Sequence, residues 1–174
     1  MSALLERLVQ MCPPGSYAGE QVDWDSLEES LGFALPDDYK ELTSHYPPGL
    51  FGDFLTVIYP ESQISTIDLR SQIEASRLTF RILKRAGDEI PCDEALLIPV
   101  CGTDNGNRVF WVRDPLGDPN RWTLLVNEPR GPQWVKFEGG ILQFLVEILS
   151  GSTKIEVFPE DYPWGRPKFA SIWG

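Results

Sequence analysis

Between residues 96 and 137, short apolar runs alternate with tight clusters of turn-forming residues, and this spacing restricts the chain more than any other feature. Leu96–Cys101, Arg108–Val112, Trp122–Val126 and Gln133–Phe137 are each five or six residues long and rich in aliphatic and aromatic side chains. Such runs, bounded by Gly, Pro, Asn and Asp, read as strands. The first turn, Gly102–Asn107, has Asn105-Gly106 at its heart, the pair that most favours a tight hairpin. The others, Asp114–Pro119 and Asn127–Pro132, are equally short. Parallel neighbours need a crossover of about a dozen residues or more, so these strands form an antiparallel meander. Pro99 cannot donate to a ladder and argues for an edge position or an irregularity in its strand. The Gln133–Phe137 run reads as the last strand.

Helical patterns stand on either side of the meander. Residues 2–11 place Leu4, Leu8 and Met11 on one face, with Leu5 and Val9 beside them. After Pro13-Pro14-Gly15, Asp23 or Asp25 caps a helix whose face is Trp24, Leu27 and Leu31. Residues 31–49 then hold a stop, a start and a stop. Gly32 suits the positive φ that closes a helix. Pro36 suits a helix start, and Asp37 and Asp38 favour the positive end of its dipole. Tyr39, Leu42 and Tyr46 follow at helical spacing until Pro47-Pro48-Gly49. Phe54–Tyr59 is a further strand, and residues 64–86 the longest helical pattern, on Leu69, Ile73, Ser76, Phe80 and Leu83. Ile141–Leu149 is a helix apolar nearly all round, which predicts burial. Beyond it lies a strap rich in proline and aromatics. The expected architecture is α+β: a mostly antiparallel sheet with helices packed on one face. It comprises an N-terminal helix and loop (1–21), a main domain (22–150) and an extended C-terminal strap packed on it (151–174).

The formal net charge is −11 and it is unevenly spread. Residues 1–63 hold eleven acidic and two basic side chains, or −9; residues 64–174 hold fifteen and thirteen, or −2. An acidic field repels nucleic acid and anionic lipid, so neither is an expected partner. No apolar run approaches the length of a membrane span, and the start reads as an amphipathic helix rather than a leader. Three cysteines without CxxC spacing argue against a disulfide framework or a zinc site and fit a reducing cytoplasm.

Chemistry-bearing patterns are sparse. His45 is the only histidine and sits at a helix end, where a structural role suffices. Cys101 leads out of a strand and reads as a small core residue. Nucleophile-elbow, phosphate-loop and dinucleotide signatures are missing from the sequence. The carboxylate pairs Glu28-Glu29, Asp37-Asp38, Asp88-Glu89 and Asp93-Glu94 fall at helix starts, solvated faces or loops, whereas acid–base work needs one member desolvated. No catalytic, cofactor-binding or metal-ligating residue is assigned. Trp111, Trp122 and Trp134 lie on strands, where packing is their expected use.

The run from Leu31 to Leu42, followed by Tyr46-Pro47-Pro48-Gly49 and the Phe54–Tyr59 strand, resembles the opening signature of the SUKH superfamily, the Smi/Knr-type domain. The Leu96–Cys101 strand, the Gly102–Gly106 turn, Phe110-Trp111-Val112 and the Phe137 to Leu149 segment are similar too, so the resemblance covers about residues 22–150. It implies an α+β fold and a protein-binding module without catalysis. Many bacterial members are immunity proteins that neutralise a cognate toxin, often a nuclease; fungal relatives regulate cell-wall assembly. The resemblance therefore implies an immunity protein, with a regulatory scaffold for housekeeping partners as the alternative. A nuclease with a basic groove is the electrostatic complement of an acidic inhibitor. On that basis Asp23, Asp25, Glu28, Glu29, Asp37, Asp38 and Asp53 are the candidate partner-binding residues.

Overall fold

The computed structural model describes residues 1–17, 19 and 21–172. Ala18, Glu20, Trp173 and Gly174, parts of the expected loop, acidic half and strap, lie outside the described residues. The chain folds as α1 (Ala3–Met11), α2 (Trp24–Leu31), α3 (Asp37–His45), β1 (Gly49–Phe51), β2 (Leu55–Val57) and α4 (Leu69–Ala86). Then come β3 (Leu97–Thr103), β4 (Arg108–Val112), β5 (Thr123–Asn127), β6 (Trp134–Phe137), α5 (Ile141–Ser150) and β7 (Phe169–Ser171). All seven strands form one antiparallel sheet in the order β6-β5-β4-β3-β2-β1-β7. The fold is α+β, and the meander occupies four consecutive places.

Pro99 lies in the central strand, not at an edge, and the irregularity that its missing N–H demands is there instead. The pairing of β3 with β4 shifts register between Pro99 and Cys101. On the other side, β2 pairs only with Cys101, Gly102 and Thr103, so no ladder bond to β2 is asked of Pro99. The β3–β4 turn closes through Gly106 at φ 89°, with the Gly106 N–H donating to the Thr103 carbonyl. Asn107, 1% exposed, extends this turn into a junction: its Nδ2 donates to the Asn127 carbonyl of β5 and to the Val157 carbonyl of the strap.

Side chains alternate across the sheet. Val109, Trp111, Leu124 and Val126 point into the main core with Leu5, Leu8, Leu27, Tyr39 and the apolar face of α5. Phe110, Leu125 and Leu97 point the other way and meet Phe80 of α4. Thus α1, α2, α3 and α5 contribute to the core on one face, while α4 runs from that core, through Leu69 and Ile73, onto the opposite face. Continuous apolar runs in β4 and β5 explain this, because strands apolar on both sides need cover on both sides. In α1 the buried pair is Leu5 and Leu8, with Leu4 turned outward.

Two tyrosines of the 31–49 stretch hold the layers together. The Tyr39 hydroxyl, fully buried, donates to the Ile58 carbonyl at 2.6 Å, and its ring meets Trp111 edge-on with centroids 4.9 Å apart. The Tyr46 hydroxyl donates to the Cys12 carbonyl at 2.7 Å, and its ring packs on Phe51 and Phe169. Phe169 belongs to β7, a strand at the end of the strap that sequence reading placed nowhere; β6 is not the last. β7 lies beside β1 because Gly49 has no side chain: a Cβ there would collide with the Phe169 ring and the Ala170 carbonyl oxygen. Ile155, Phe158 and Tyr162 anchor the rest of the strap in the main core.

Tyr39→Phe keeps the ring and strands the Ile58 carbonyl. It is expected to lower stability by about 1–3 kcal/mol, read as a reduced urea midpoint at unchanged m-value. A loss under about 0.5 kcal/mol would show that this hydrogen bond does not fix α3 on the sheet.

Candidate functional site

Each helix leaves its first N–H groups unpaired and its N-terminus partly positive. Three helix starts, those of α1, α3 and α5, meet beside the Pro119–Arg121 turn, and carboxylates of α3 answer them. Neither α3 nor α5 has a side-chain N-cap of its own, since Pro36 and Gly140 occupy those positions. Asp38 serves α5 instead: its Oδ2 accepts from the Leu142 N–H at 3.1 Å. A Cβ on Gly140 would run into that Oδ2, so a glycine here is what lets the carboxylate approach. Glu41 accepts from the Ser2 N–H at 2.5 Å and lies 3.9 Å from the terminal ammonium. Asp37 and Asn120 bond reciprocally, backbone N–H to Oδ1 and Nδ2 to Oδ2, both at 2.8 Å.

These groups surround a cleft of about 500 Å³ whose walls include Leu4, Pro36, Trp111, Trp122 and Leu142. Trp111 is wholly buried, and its indole Nε1 has no hydrogen-bond partner among the described residues; neither has the buried Asp38 Oδ1. Burial pushes the Asp38 carboxyl above its ordinary value of 3.8, against the pull of N–H groups from Leu142, Tyr39 and Ile141, and the Asp37 charge adds to the rise. The Asp37-Asp38 pair is therefore not simply a solvated helix start. Trp111 Nε1 and Asp38 Oδ1 are both shut off from solvent, so the polar groups that the open part of the cleft presents include Asp37 and Asn120; cysteine, histidine and lysine do not occur among its lining residues.

The seven acidic candidates are distributed over three settings. Four lie on α2 or at its cap. Asp23 caps the helix by accepting from the Ser26 N–H at 3.1 Å. Glu28 accepts from the Leu35 N–H at 2.7 Å and pairs with Lys40 at 2.6 Å, joining α2 to α3. Asp25 and Glu29 are exposed, with no ion pair among the described residues. Asp37 and Asp38 belong to the cleft. Asp53 stands apart in the β1–β2 turn, at φ 56°, paired with Lys168 of the strap at 3.1 Å. Of the seven, then, Asp25 and Glu29 are the ones that enter no side-chain hydrogen bond or ion pair among the described residues. Asp25 lies in the first turn of α2, where its charge suits the helix start.

Glu41, Asn120, Gly140 and Trp111 complete the cleft and were not singled out from the sequence as site residues. The one local signal for the cleft is Gly139-Gly140 before an apolar helix, a pair whose missing side chains permit a close approach. The other candidates for chemistry are structural. The Cys101 thiol is fully buried, which pushes it up to about 12, far from a nucleophile's range. His45 Nδ1 lies 2.9 Å from the Glu41 carbonyl oxygen, one turn back in its own helix. Among the described residues no group of three or more His, Cys, Asp or Glu side chains is placed to hold a metal ion. None of the described helices is long and apolar enough to cross a membrane. Set against protein-family models, curated proteins and solved structures, the chain matches none of them.

Two substitutions separate the capping role of Asp38 from the cost of burying its charge. Asp38→Ala removes the acceptor from α5 and is expected to cost about 0.5–2 kcal/mol. Asp38→Asn keeps an oxygen for the Leu142 N–H and removes the charge. A raised folded pKa means the folded state holds the proton more tightly, so wild type loses stability relative to Asp38→Asn as pH rises from the ordinary value of 3.8 through the folded pKa. Urea titrations at acid and neutral pH read this difference. A gap that does not change with pH would rule out a buried, upward-shifted carboxyl.

Proposed function

We propose that this chain is a non-catalytic protein-binding module of the immunity type, which binds a cognate toxin through the acidic surface of α2 and its surroundings and covers the toxin's active site. The observation that carries this reading is the state of Asp25 and Glu29. Both are exposed on α2 without counter-ions among the described residues, while neighbouring carboxylates are tied into caps and ion pairs. Asp25 also suits the helix start from the first turn, but neither carboxylate is held in an ion pair, which leaves both able to meet a cation on a partner. The Glu28–Lys40 pair and the Leu35 N–H hold this helix firmly to α3, so the charges are presented by a rigid element.

Charge of this kind acts mainly on encounter. An acidic patch steers a basic partner into contact and raises the association rate, with strong dependence on salt. The resemblance of residues 22–150 to SUKH proteins supplies the class of partner, a toxin with a basic surface such as a nuclease. The free thiols of Cys12 and Cys101, both buried, agree with a reducing cytoplasm, where an immunity protein meets its toxin.

The test is co-expression with the toxin encoded by a neighbouring gene, followed by binding measurements across ionic strength. Rescue of growth, tight binding and an affinity that falls with salt are the expected results. Asp25→Lys with Glu29→Lys should cut the association rate about tenfold or more at low salt while leaving the urea midpoint unchanged. An unaltered affinity and salt slope would overturn the acidic-face reading. Capture of housekeeping proteins without protection from a toxin would favour the regulatory scaffold.

A further inference from the structure

Five of the fifteen basic residues of this acidic protein lie on α4. The helix is well defined at both ends: Asp68 caps it by accepting from the Ser71 N–H at 2.9 Å, and Gly87 ends it at φ 88°. Its inner stripe is Leu69, Gln72, Ile73, Ser76 and Phe80, all buried. An amphipathic helix with that stripe should be polar on its outer side. Instead Leu78 is 53% exposed and Ile82 58% exposed, one turn apart and opposite the buried stripe. Ala75 continues the apolar row toward the N-terminus, at the i, i+3, i+7 spacing of a helical seam. Arg70, Arg77, Arg81 and Arg85 run along one flank of that row, all exposed.

The helix holds five basic residues and one acidic residue, Glu74, within a chain of net charge −11. Only Lys84 has an ion pair among the described residues, with Glu94. The four arginines are thus available, and each offers a planar fork of donors suited to a carboxylate. An apolar row beside a row of unpaired guanidinium groups has a definite complement.

We propose that the outer face of α4 is a second docking surface, and that its occupant is an acidic amphipathic segment of a partner protein. Apolar side chains of that segment cover Leu78 and Ile82, and its carboxylates meet Arg77, Arg81 and Arg85. Other occupants fit the observations less well. A second copy packing α4 antiparallel on α4 would oppose arginines with arginines, and parallel packing would leave the arginine row without a matching row of carboxylates, since α4 carries only Glu74. Packing α4 on the acidic α2 of a second copy would leave Leu78 and Ile82 without an apolar partner, because α2 carries no exposed large apolar side chain. An anionic lipid surface would have to accept a body of net charge −11 for two exposed side chains on a helix already anchored in two cores. Nucleic acid leaves the apolar row without a partner. This surface is independent of the acidic one on α2.

The probe is a synthetic acidic helical peptide with leucines along one face, compared with a peptide of the same composition in which the leucines are scattered. Fluorescence anisotropy should show saturable binding of the first and about tenfold weaker binding of the second. Leu78→Ser with Ile82→Ser, and separately Arg77→Glu with Arg81→Glu, should each weaken binding about tenfold without moving the urea midpoint. Because one pair removes apolar contact and the other reverses charge, misfolding of either leaves the other decisive. Equal binding of both peptides, or no response to either pair, would overturn the proposal. Tighter association with phosphatidylserine vesicles than with the peptide would replace the partner by a membrane. Self-association abolished by Leu78→Ser with Ile82→Ser would replace it by a second copy.

Discussion

The placement of α3 governs most of this structure, and α3 is placed by a buried hydroxyl. Tyr39 projects from the first turn of the helix into the main core, where its hydroxyl reaches the Ile58 carbonyl just past the end of β2. A phenol so deeply buried must find a polar partner, and Ile58 gives it one place to be. With that point fixed, Trp111 receives the ring edge and Asp38 arrives at the start of α5. Tyr46, at the other end of the same helix, reaches the end of α1 and the strap. Nine helical residues and their C-cap thereby touch the sheet, α1, α5 and the strap.

The elements visible in the sequence were those whose signals are local. Paired glycine and proline stops bounded α2 and α3, and the Asn105-Gly106 turn and its neighbours set out the meander. What could not be read there depends on partners distant in sequence. β1 and β7 are three residues each and carry little pattern of their own; β1 pairs locally with β2, and β7 joins it because Gly49 allows Phe169 to lie against it. Pro99 signalled a disturbance, but nothing local distinguished an edge from a bulge at the centre. The second face of the sheet was indicated after all, by Val109–Val112 and Leu124–Val126, runs too continuously apolar for strands with one wet side.

The acidic residues teach a similar lesson about function. Counted along the chain they form one negative half; in the folded molecule they have different employments. Asp38 and Glu41 neutralise the starts of helices other than their own, Asp23 caps α2, and Glu28 fastens α2 to α3. Charge composition alone cannot separate a carboxylate that stabilises a helix end from one that awaits a partner. The cleft was hidden for the same reason, since its members come from α1, α3, β4, the Pro119–Arg121 turn and α5. Conversely, Arg70, Arg77, Arg81, Lys84 and Arg85 read along the chain as an ordinary polar complement to the apolar pattern of residues 64–86. Only the burial of the opposite stripe reveals that Leu78 and Ile82 sit among them in solvent.

The pairing of β1 with β7 has a bearing on how the molecule comes to be made. β1 and β2 emerge early in synthesis, and β7 long afterwards. Until β7 arrives, one margin of the sheet presents bare N–H and C=O groups, the kind of template on which other chains add. With β7 in place that border passes from β1 to β7, a three-residue strand at the end of the order, and shortening the strap would return it to β1. The aromatic cluster of Tyr46, Phe51 and Phe169 is what holds β7 there. The last strand of the chain thus decides which backbone groups the sheet leaves at its margin.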